Sequence, residues 1–137
     1  MEDNYNLRRF SWAQEKIYAD VISELKASSK QSHWMWFIFP QIKGLGRSPT
    51  AKYYAILSEE EAFAYLKDPL LGARLRECTQ LVLDIKDASA NDIFGSPDDL
   101  KFWSCMSLFA SISKDDTIFN EALAKYFNGM IDPNALF

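Results

Sequence analysis

Histidine and cysteine are scarce in this chain of 137 residues, which contains one histidine and two cysteines. Cys78 and Cys105 lie far apart, and neither belongs to a CxxC or mixed Cys/His motif. This spacing argues against a zinc site, and the sequence predicts neither a metal nor a cofactor. Both cysteines fall on or beside apolar helical stripes, so we expect buried free thiols. The alternatives are a disulfide, or a thiolate activated by His33.

Long apolar runs and a basic leader are also absent. The longest apolar run, from Trp34 to Phe39, is far too short to span a bilayer. The opening segment from Met1 to Asn4 carries acidic residues where a signal peptide carries basic ones. We therefore expect a soluble, cytoplasmic protein without a membrane partner.

An excess of positive charge is missing as well, since 15 basic against 19 acidic residues leave a net charge of −4. Binding to bulk nucleic acid normally needs a basic face, so it is not expected here. The 48% hydrophobic and 15% aromatic content excludes disorder. The length suits one domain with its own core, so residues 1–137 are predicted to form a single domain.

Apolar residues recur at helical spacing along most of the chain, and no alternating strand pattern with hairpin turns is present. The sequence therefore predicts an all-α fold, a single compact domain of several short helices with an aromatic-rich core. The predicted helices run from Arg8 to about Ser28, from Pro49 through Ile56, through Ala62 to Leu66, from Asp68-Pro69 to Ile85, from Ser96-Pro97 through Ala110, and from Thr117 to Asn128.

Capping patterns support several of these helix starts. Ser48-Pro49 is typical of an N-cap followed by proline at the first helical position. Ser58 with Glu61, and Ser89 with Asp92, have the spacing of capping boxes. In the helix that begins near Pro97, the residues predicted to face the core are Leu100, Trp103, Met106, Phe109 and Ala110.

The segment from Trp34 to Phe39 is ambiguous, because six consecutive apolar residues have no periodicity. It fits a buried strand or a short helix. We favour a short helix that Pro40 ends, since the chain offers no partner strand.

The stretch from Ser32 to Thr50 is predicted to form the floor and rim of a ligand pocket. It combines aromatic side chains with Gly44, Gly46, Arg47 and the Ser48 helix start. Glycines allow a ligand to approach the backbone, and the arginine fork suits phosphate or carboxylate. The alternative is an ordinary loop in which Arg47 pairs with a carboxylate.

Four other residues of this stretch are further candidates for the site. At least one of Trp34 and Trp36 should be core, while the other is placed to stack on a flat ligand. Gln41 offers amide donors and acceptors for a base or ribose, or bonds only to the loop backbone. His33 is a candidate general acid–base, with a capping or core histidine as the alternative.

Polar residues outside the stretch complete the predicted site. Asp98 is a candidate catalytic acid or base facing Arg47, with Lys101 beside it, although acids at a helix start are usually caps. Gln14 on the first helix is a fainter ligand-binding candidate.

Four phrases of the sequence resemble a bacterial family of unknown function that is catalogued as number 1810. The resemblance extends over nearly the whole chain, and that family is predominantly helical with no established activity. The calpastatin label often attached to it suits neither the chain nor its compact aromatic core. The phrases are Phe10-x-x-Ala13-Gln14, Ser32 to Gln41 (SHWMWFIFPQ), Gly44 to Ser48 (GLGRS) and Ile93 to Lys101 (IFGSPDDLK).

A weaker resemblance links the segment Ser89 to Gly95 to the helical YbiA-like (NADAR) proteins, which remove ADP-ribose from modified nucleobases or act on related ribosides. The Glu-His-Tyr-like motif of that family is absent here. The resemblance implies hydrolysis of an N-glycosidic or ADP-ribosyl bond in a phosphorylated, nucleotide-like ligand. The alternatives are a non-catalytic module with the same pocket and a helical protein-interaction domain.

Overall fold

Helices and turns make up the computed structural model, which describes residues 3–137. Within that range the β-type pairing is limited to an isolated parallel bridge between Ile42 and Ile56. The predicted all-α class is confirmed. None of the helices in this part of the chain is both long and apolar enough to cross a bilayer. The elements are α1 (Arg8–Glu15), α2 (Tyr18–Lys26), α3 (Met35–Ile38), α4 (Pro49–Tyr53), α5 (Glu59–Lys67), α6 (Leu71–Asp84), α7 (Ala90–Phe94), α8 (Asp98–Ile112), α9 (Thr117–Phe127) and a short 3-10 helix (Pro133–Ala135).

The predicted first helix is in fact two helices, which break at Lys16 and Ile17. The backbone of Ile17 leaves the helical region, with φ −122°. The two halves serve different neighbours, because α1 packs on α3 whereas α2 packs on α6. Sequence periodicity indicates which residues are buried but not which helix they pack against, so a continuous apolar stripe does not reveal such a break.

Helix α6 confirms the most regular stripe of the sequence, because its five predicted residues from Leu71 to Ile85 are all buried. Asp68 accepts hydrogen bonds from the backbone N–H groups of Leu70 and Leu71 at 2.9 Å each, so its carboxylate caps the helix start. Cys78 and Cys105 are buried free thiols, as predicted. Burial raises the pKa of the Cys78 thiol to about 12 and also raises the pKa of Cys105.

Helix α8 lies at the centre of the fold, packed against α5, α7 and α9. Met106 and Phe109 are buried as predicted, but Leu100 is 55% exposed and Trp103 is only half-buried. The prediction for Leu100 is therefore wrong. A helix buried on nearly all sides has no single apolar stripe, so periodicity alone misplaces the solvent side of its first turn.

Of the two predicted capping boxes, the structure forms one completely and the other only in part. Ser89 and Asp92 form the complete capping box at α7. Ser58 caps α5 by accepting a hydrogen bond from the Glu61 N–H at 3.1 Å. The second bond of a capping box, from the Ser58 N–H to the Glu61 carboxylate, is not formed. That carboxylate instead accepts from Arg9 at 2.7 Å in the protein interior. A long-range ion pair thus replaces half of the predicted box.

Aromatic rings fill the centre of the core. The segment that was ambiguous in the sequence is helical at α3 and ends at Phe39, before Pro40. The Phe39 ring meets Phe102 edge-on at 4.9 Å between centroids, and Phe94 stacks on Phe102 at 4.8 Å. Such pairs add about 0.5–1.5 kcal/mol each beyond the area they bury. The short helix α3 is thereby held against the start of α8.

Candidate functional site

A cavity of about 440 Å³ lies between the loop that precedes α4 and the first two turns of α8. Pro97, which immediately precedes α8, closes one side of it. Five of the residues predicted for a site line this cavity together. These are Trp36, Gln41, Arg47, Ser48 and Lys101, and the other lining residues include Leu45, Gly46, Ala51, Leu100 and Ser104.

The loop is held in place from beneath by the bridge to Ile56. The Ile56 N–H donates to the Gln41 carbonyl at 2.8 Å, and the Lys43 N–H donates to the Ile56 carbonyl at 2.9 Å. These bonds use the backbone of Gln41 and leave its side-chain amide at the cavity wall. The start of the loop is therefore fixed, although the sequence there has no strand pattern.

Two glycines give the loop its shape. Gly44 has φ +90°, a left-handed conformation that other residues rarely adopt. At Gly46, a Cβ atom would lie 2.4 Å from the Ala51 Cβ, far inside van der Waals contact. The loop can therefore approach α4 this closely only without a side chain at position 46. Ser48 then caps α4 by accepting from the Ala51 N–H at 3.1 Å.

Arg47 is exposed at the rim of the cavity. Its guanidinium makes no ion pair with any residue from 3 to 137. Its position does not match the alternative reading of the sequence, in which Arg47 is neutralised by a carboxylate of the chain.

Lys101 faces the same cavity from α8. Its ammonium lies 4.8 Å from the centre of the Trp36 ring and 3.4 Å from Asp98. Asp98 also accepts from Lys30 at 2.8 Å, and the Lys30 side chain is only 7% exposed. One carboxylate is thus shared by two lysines.

The remaining predicted residues lie away from the cavity. His33 is exposed and does not line it. Trp34 is fully buried, and its indole N–H donates to Glu24 at 2.9 Å, so it is the core member of the tryptophan pair. Gln14 is 1% exposed and donates to the Phe37 carbonyl at 2.7 Å. Its amide therefore joins α1 to α3, and Gln14 does not line the cavity.

Several lining residues were missed by sequence reasoning. Leu45 and Leu100 are exposed at the mouth, and Ser104 lies at the back of the cavity. The Ser104 hydroxyl donates to the buried Asp132 carboxylate at 2.7 Å. A serine one turn beyond Leu100 is the signal that the sequence offered for this wall.

The chemistry available to this site follows from its lining. Among the described lining residues, Arg47 and Lys101 are the charged ones, and no carboxylate, imidazole, thiol or phenol is present. Guanidinium and ammonium groups bind phosphate or carboxylate, and the half-buried Trp36 ring can contact a flat group. The described lining therefore offers two cationic groups, one side-chain amide and one aromatic ring as contacts for a ligand.

Comparison with known proteins gives a family and a related structure. A family model described as "Protein of unknown function (DUF1810)" matches residues 4–136. The chain is also similar to a crystal structure of the conserved hypothetical protein Rv1873 from Mycobacterium tuberculosis, with a TM-score of 0.96 and 50% sequence identity over 97% of this chain and 95% of that one. No curated protein matches the chain. The predicted family is confirmed, whereas the likeness to YbiA-like proteins stays a prediction.

Proposed function

Because the chain belongs to the DUF1810 family of proteins of unknown function, we propose a function from its own cavity, which is to bind a small anionic ligand that carries a flat ring. Phosphorylated, nucleotide-like molecules are the class that meets this description. Two hypotheses involve this pocket, an enzyme and a non-catalytic binding module, and we propose the binding module.

The observation that carries the proposal is the charge of the cavity. Arg47 and Lys101 line it, and no acidic residue does so within the described part of the chain. Asp98 is balanced twice, by Lys30 at 2.8 Å and by Lys101 at 3.4 Å. An exposed arginine without an internal partner is free to form a bidentate contact with an anion.

Trp36 supports the ring part of the proposal. Lys101 now rests near its ring, and such a cation–π contact contributes about 0.5–1 kcal/mol at an exposed site. A hydrogen bond to a charged group contributes about 1.5–3 kcal/mol. A ligand phosphate that draws Lys101 away from the ring, against its 3.4 Å pair with Asp98, frees the Trp36 face for stacking.

The size and shape of the cavity suit this class of ligand. Its volume of about 440 Å³ falls within the range of small-molecule sites, roughly 300–1,000 Å³. Leu45 and Leu100 give the mouth an apolar rim, and the Gln41 amide can select among ring edges. Apolar walls with a few directed polar groups are typical of such sites.

Geometry favours binding over catalysis. Hydrolysis of an N-glycosidic bond needs a group that transfers a proton within hydrogen-bond reach of the ligand. His33 does not line the cavity, and Asp98 is held by two lysines. We therefore do not extend the proposal to the hydrolysis that the YbiA-like resemblance implies.

A thermal-shift experiment followed by calorimetry tests the proposal. Adenosine monophosphate, ADP-ribose and a sugar phosphate are compared with uncharged adenosine, and the anions should raise the melting temperature by mass action. Arg47→Ala should then weaken binding of the best anion by about 1.5–3 kcal/mol, roughly one to two decades in Kd. Its melting temperature without ligand should match that of the wild type, because Arg47 is exposed.

Lys43→Ala is the matched control, since Lys43 is an exposed cation of the same loop that does not line the cavity. It should bind the anion as the wild type does. If Arg47→Ala and Lys43→Ala lost the same affinity, the effect would come from general surface charge, and the proposal would be contradicted. The absence of a shift with every anion in the screen would also contradict it.

A further inference from the structure

The outer face of α1 presents an aromatic surface separate from the cavity. Trp12 is 67% exposed, and across from it Tyr53 is 55% exposed. Together they line a groove of about 570 Å³. Neither residue lines the cavity described above. Exposed aromatic pairs of this kind are characteristic of binding surfaces, because tryptophan and tyrosine are enriched there.

Two cations flank the tryptophan at regular intervals. Arg8, Trp12 and Lys16 are spaced four residues apart, and Lys16 keeps helical backbone angles after α1 ends. They therefore form one line along the helix, which we name the α1 stripe. With a rise of 1.5 Å per residue, its two charged ends lie about 12 Å apart along the axis. The Arg8 guanidinium lies 5.2 Å from the Trp12 ring.

Around this stripe the three cations Arg8, Lys16 and Arg74 outnumber the two acids Asp3 and Glu15 by one. Glu15 lines the groove but pairs with Arg74 at 3.5 Å. Asp3 lies 4.0 Å from Arg8, and its carboxylate also accepts the backbone N–H groups of Leu7 and Arg8. Lys16 has no ion pair with any residue from 3 to 137.

We propose that the α1 stripe binds an acidic peptide segment of a partner protein in extended conformation. An extended chain advances about 3.3 Å per residue, so four steps cover about 13 Å and match the separation of the two cations. Alternate side chains of a strand face the same way. The fitting pattern is therefore an acidic residue, a spacer, an apolar residue, a spacer and a second acidic residue.

In this arrangement the carboxylates meet Arg8 and Lys16, and the apolar side chain enters the groove between Trp12 and Tyr53. The charge of the stripe argues for an acidic segment and against a basic one. The Trp12 side chain supplies the apolar contact area that such short segments need, since tryptophan and arginine dominate binding energies at interfaces.

Fluorescence polarisation with a labelled Glu-Ser-Leu-Ser-Glu peptide tests the proposal. The scrambled peptide Leu-Ser-Glu-Ser-Glu has the same composition and charge, and it should bind at least about tenfold more weakly. Trp12→Ala and the double variant Arg8→Glu/Lys16→Glu should each weaken binding about tenfold or more, as expected for central interface residues. Binding should also weaken between about 0.1 M and about 1 M salt, because exposed charges are screened.

Lys26→Glu is the control, since Lys26 is exposed on α2 outside the groove. It changes the net charge in the same direction and should leave the affinity unchanged. Equal binding of the ordered and scrambled peptides would overturn the proposal, as would equal losses for Lys26→Glu and the double variant.

Two other occupants are tested in parallel. An oligothymidylate that displaces the peptide and binds more tightly would show a single-stranded nucleic-acid surface. A dimer in sedimentation experiments that Trp12→Ala dissociates would show that a second copy of the chain covers the stripe. Either result overturns the peptide proposal.

Discussion

Replacing Arg9 with methionine should destabilise the fold more than most single substitutions, because this arginine is a buried junction. It is 8% exposed, and its guanidinium donates to the Glu61 carboxylate at 2.7 Å. It joins α1 to α5 and to the chain that follows α4. The other acceptors are the backbone carbonyls of Tyr5, Asn6, Tyr53 and Ala55, at 2.7–3.0 Å.

The magnitude follows from what the substitution leaves behind. Glu61 is 3% exposed, and without Arg9 its carboxylate keeps a backbone bond from Leu57 at 3.2 Å and no cation. Breaking a buried pair in this way costs about 3–5 kcal/mol, because one charge stays buried without compensation. Since domains are stable by about 5–15 kcal/mol, this is a large fraction of the total.

Urea unfolding of three variants checks this reasoning. Arg9→Met should lose about 3–5 kcal/mol, while the double variant Arg9→Met/Glu61→Leu should lose clearly less than the sum of the two single ones. The double variant recovers stability because it buries no charge. A loss below about 1 kcal/mol for Arg9→Met would refute the argument, since that is the magnitude of a solvent-screened surface pair.

Three further predictions concern the core, one polar cluster and the loop. Leu75→Ala should cost about 2–5 kcal/mol in urea unfolding, because Leu75 is 1% exposed; a loss below about 0.5 kcal/mol is typical of a surface site and would contradict its place in the core. Partial burial alone would raise the pKa of Glu24, but hydrogen bonds from Ser32, Gln31 and Trp34 outweigh it and lower the pKa to about 2. This carboxylate therefore stabilises the fold above its ordinary pKa of 4.5 and loses that effect as pH falls towards 2. Glu24→Gln should lower the free energy of unfolding by about 1–2 kcal/mol at neutral pH. The difference in unfolding free energy between variant and wild type should become smaller as pH falls. A difference that does not depend on pH would contradict the role of the Glu24 charge. Gly46→Ala should displace the loop, because its Cβ would meet Ala51 at 2.4 Å, and calorimetry should then show weaker anion binding, whereas unchanged affinity would mean that the loop shape is irrelevant.

Local signals in the sequence were sufficient for most helix starts. Ser48, Asp68 and Ser89 each cap the helix that their spacing predicts. A capping interaction involves residues within one helical turn, so the local sequence is sufficient to predict it. The α6 stripe was equally accessible, because one side of that helix faces the core and the other faces solvent.

Long-range contacts account for the parts that could not be predicted. Glu61 looked like half of a capping box until the fold brought Arg9 to it from 52 residues away. Trp34 and Trp36 are two residues apart and equally apolar, yet only packing decides that the first is core and the second lines the cavity. Their separate roles depend on Glu24 and Lys101, which lie on other helices.

Part of the candidate site was nevertheless accessible. The glycines, Arg47 and Ser48 were expected at one rim, and the fold brings Lys101 to the same cavity. The opposite wall was predicted only in part, because Lys101 was named for the site whereas Leu100 was expected to face the core. Sequence periodicity has no information on which turn of a central helix reaches the surface.

The central claim is that an anion with a flat ring binds between Trp36, Arg47 and Lys101. Amide and indole resonances recorded during a titration with adenosine monophosphate test it most directly. The account predicts that the Trp36 indole N–H and the backbone amides of Arg47 and Lys101 shift together with one Kd, while the Trp12 indole does not move. No change at these three residues, or changes confined to the groove beside Trp12, would contradict it.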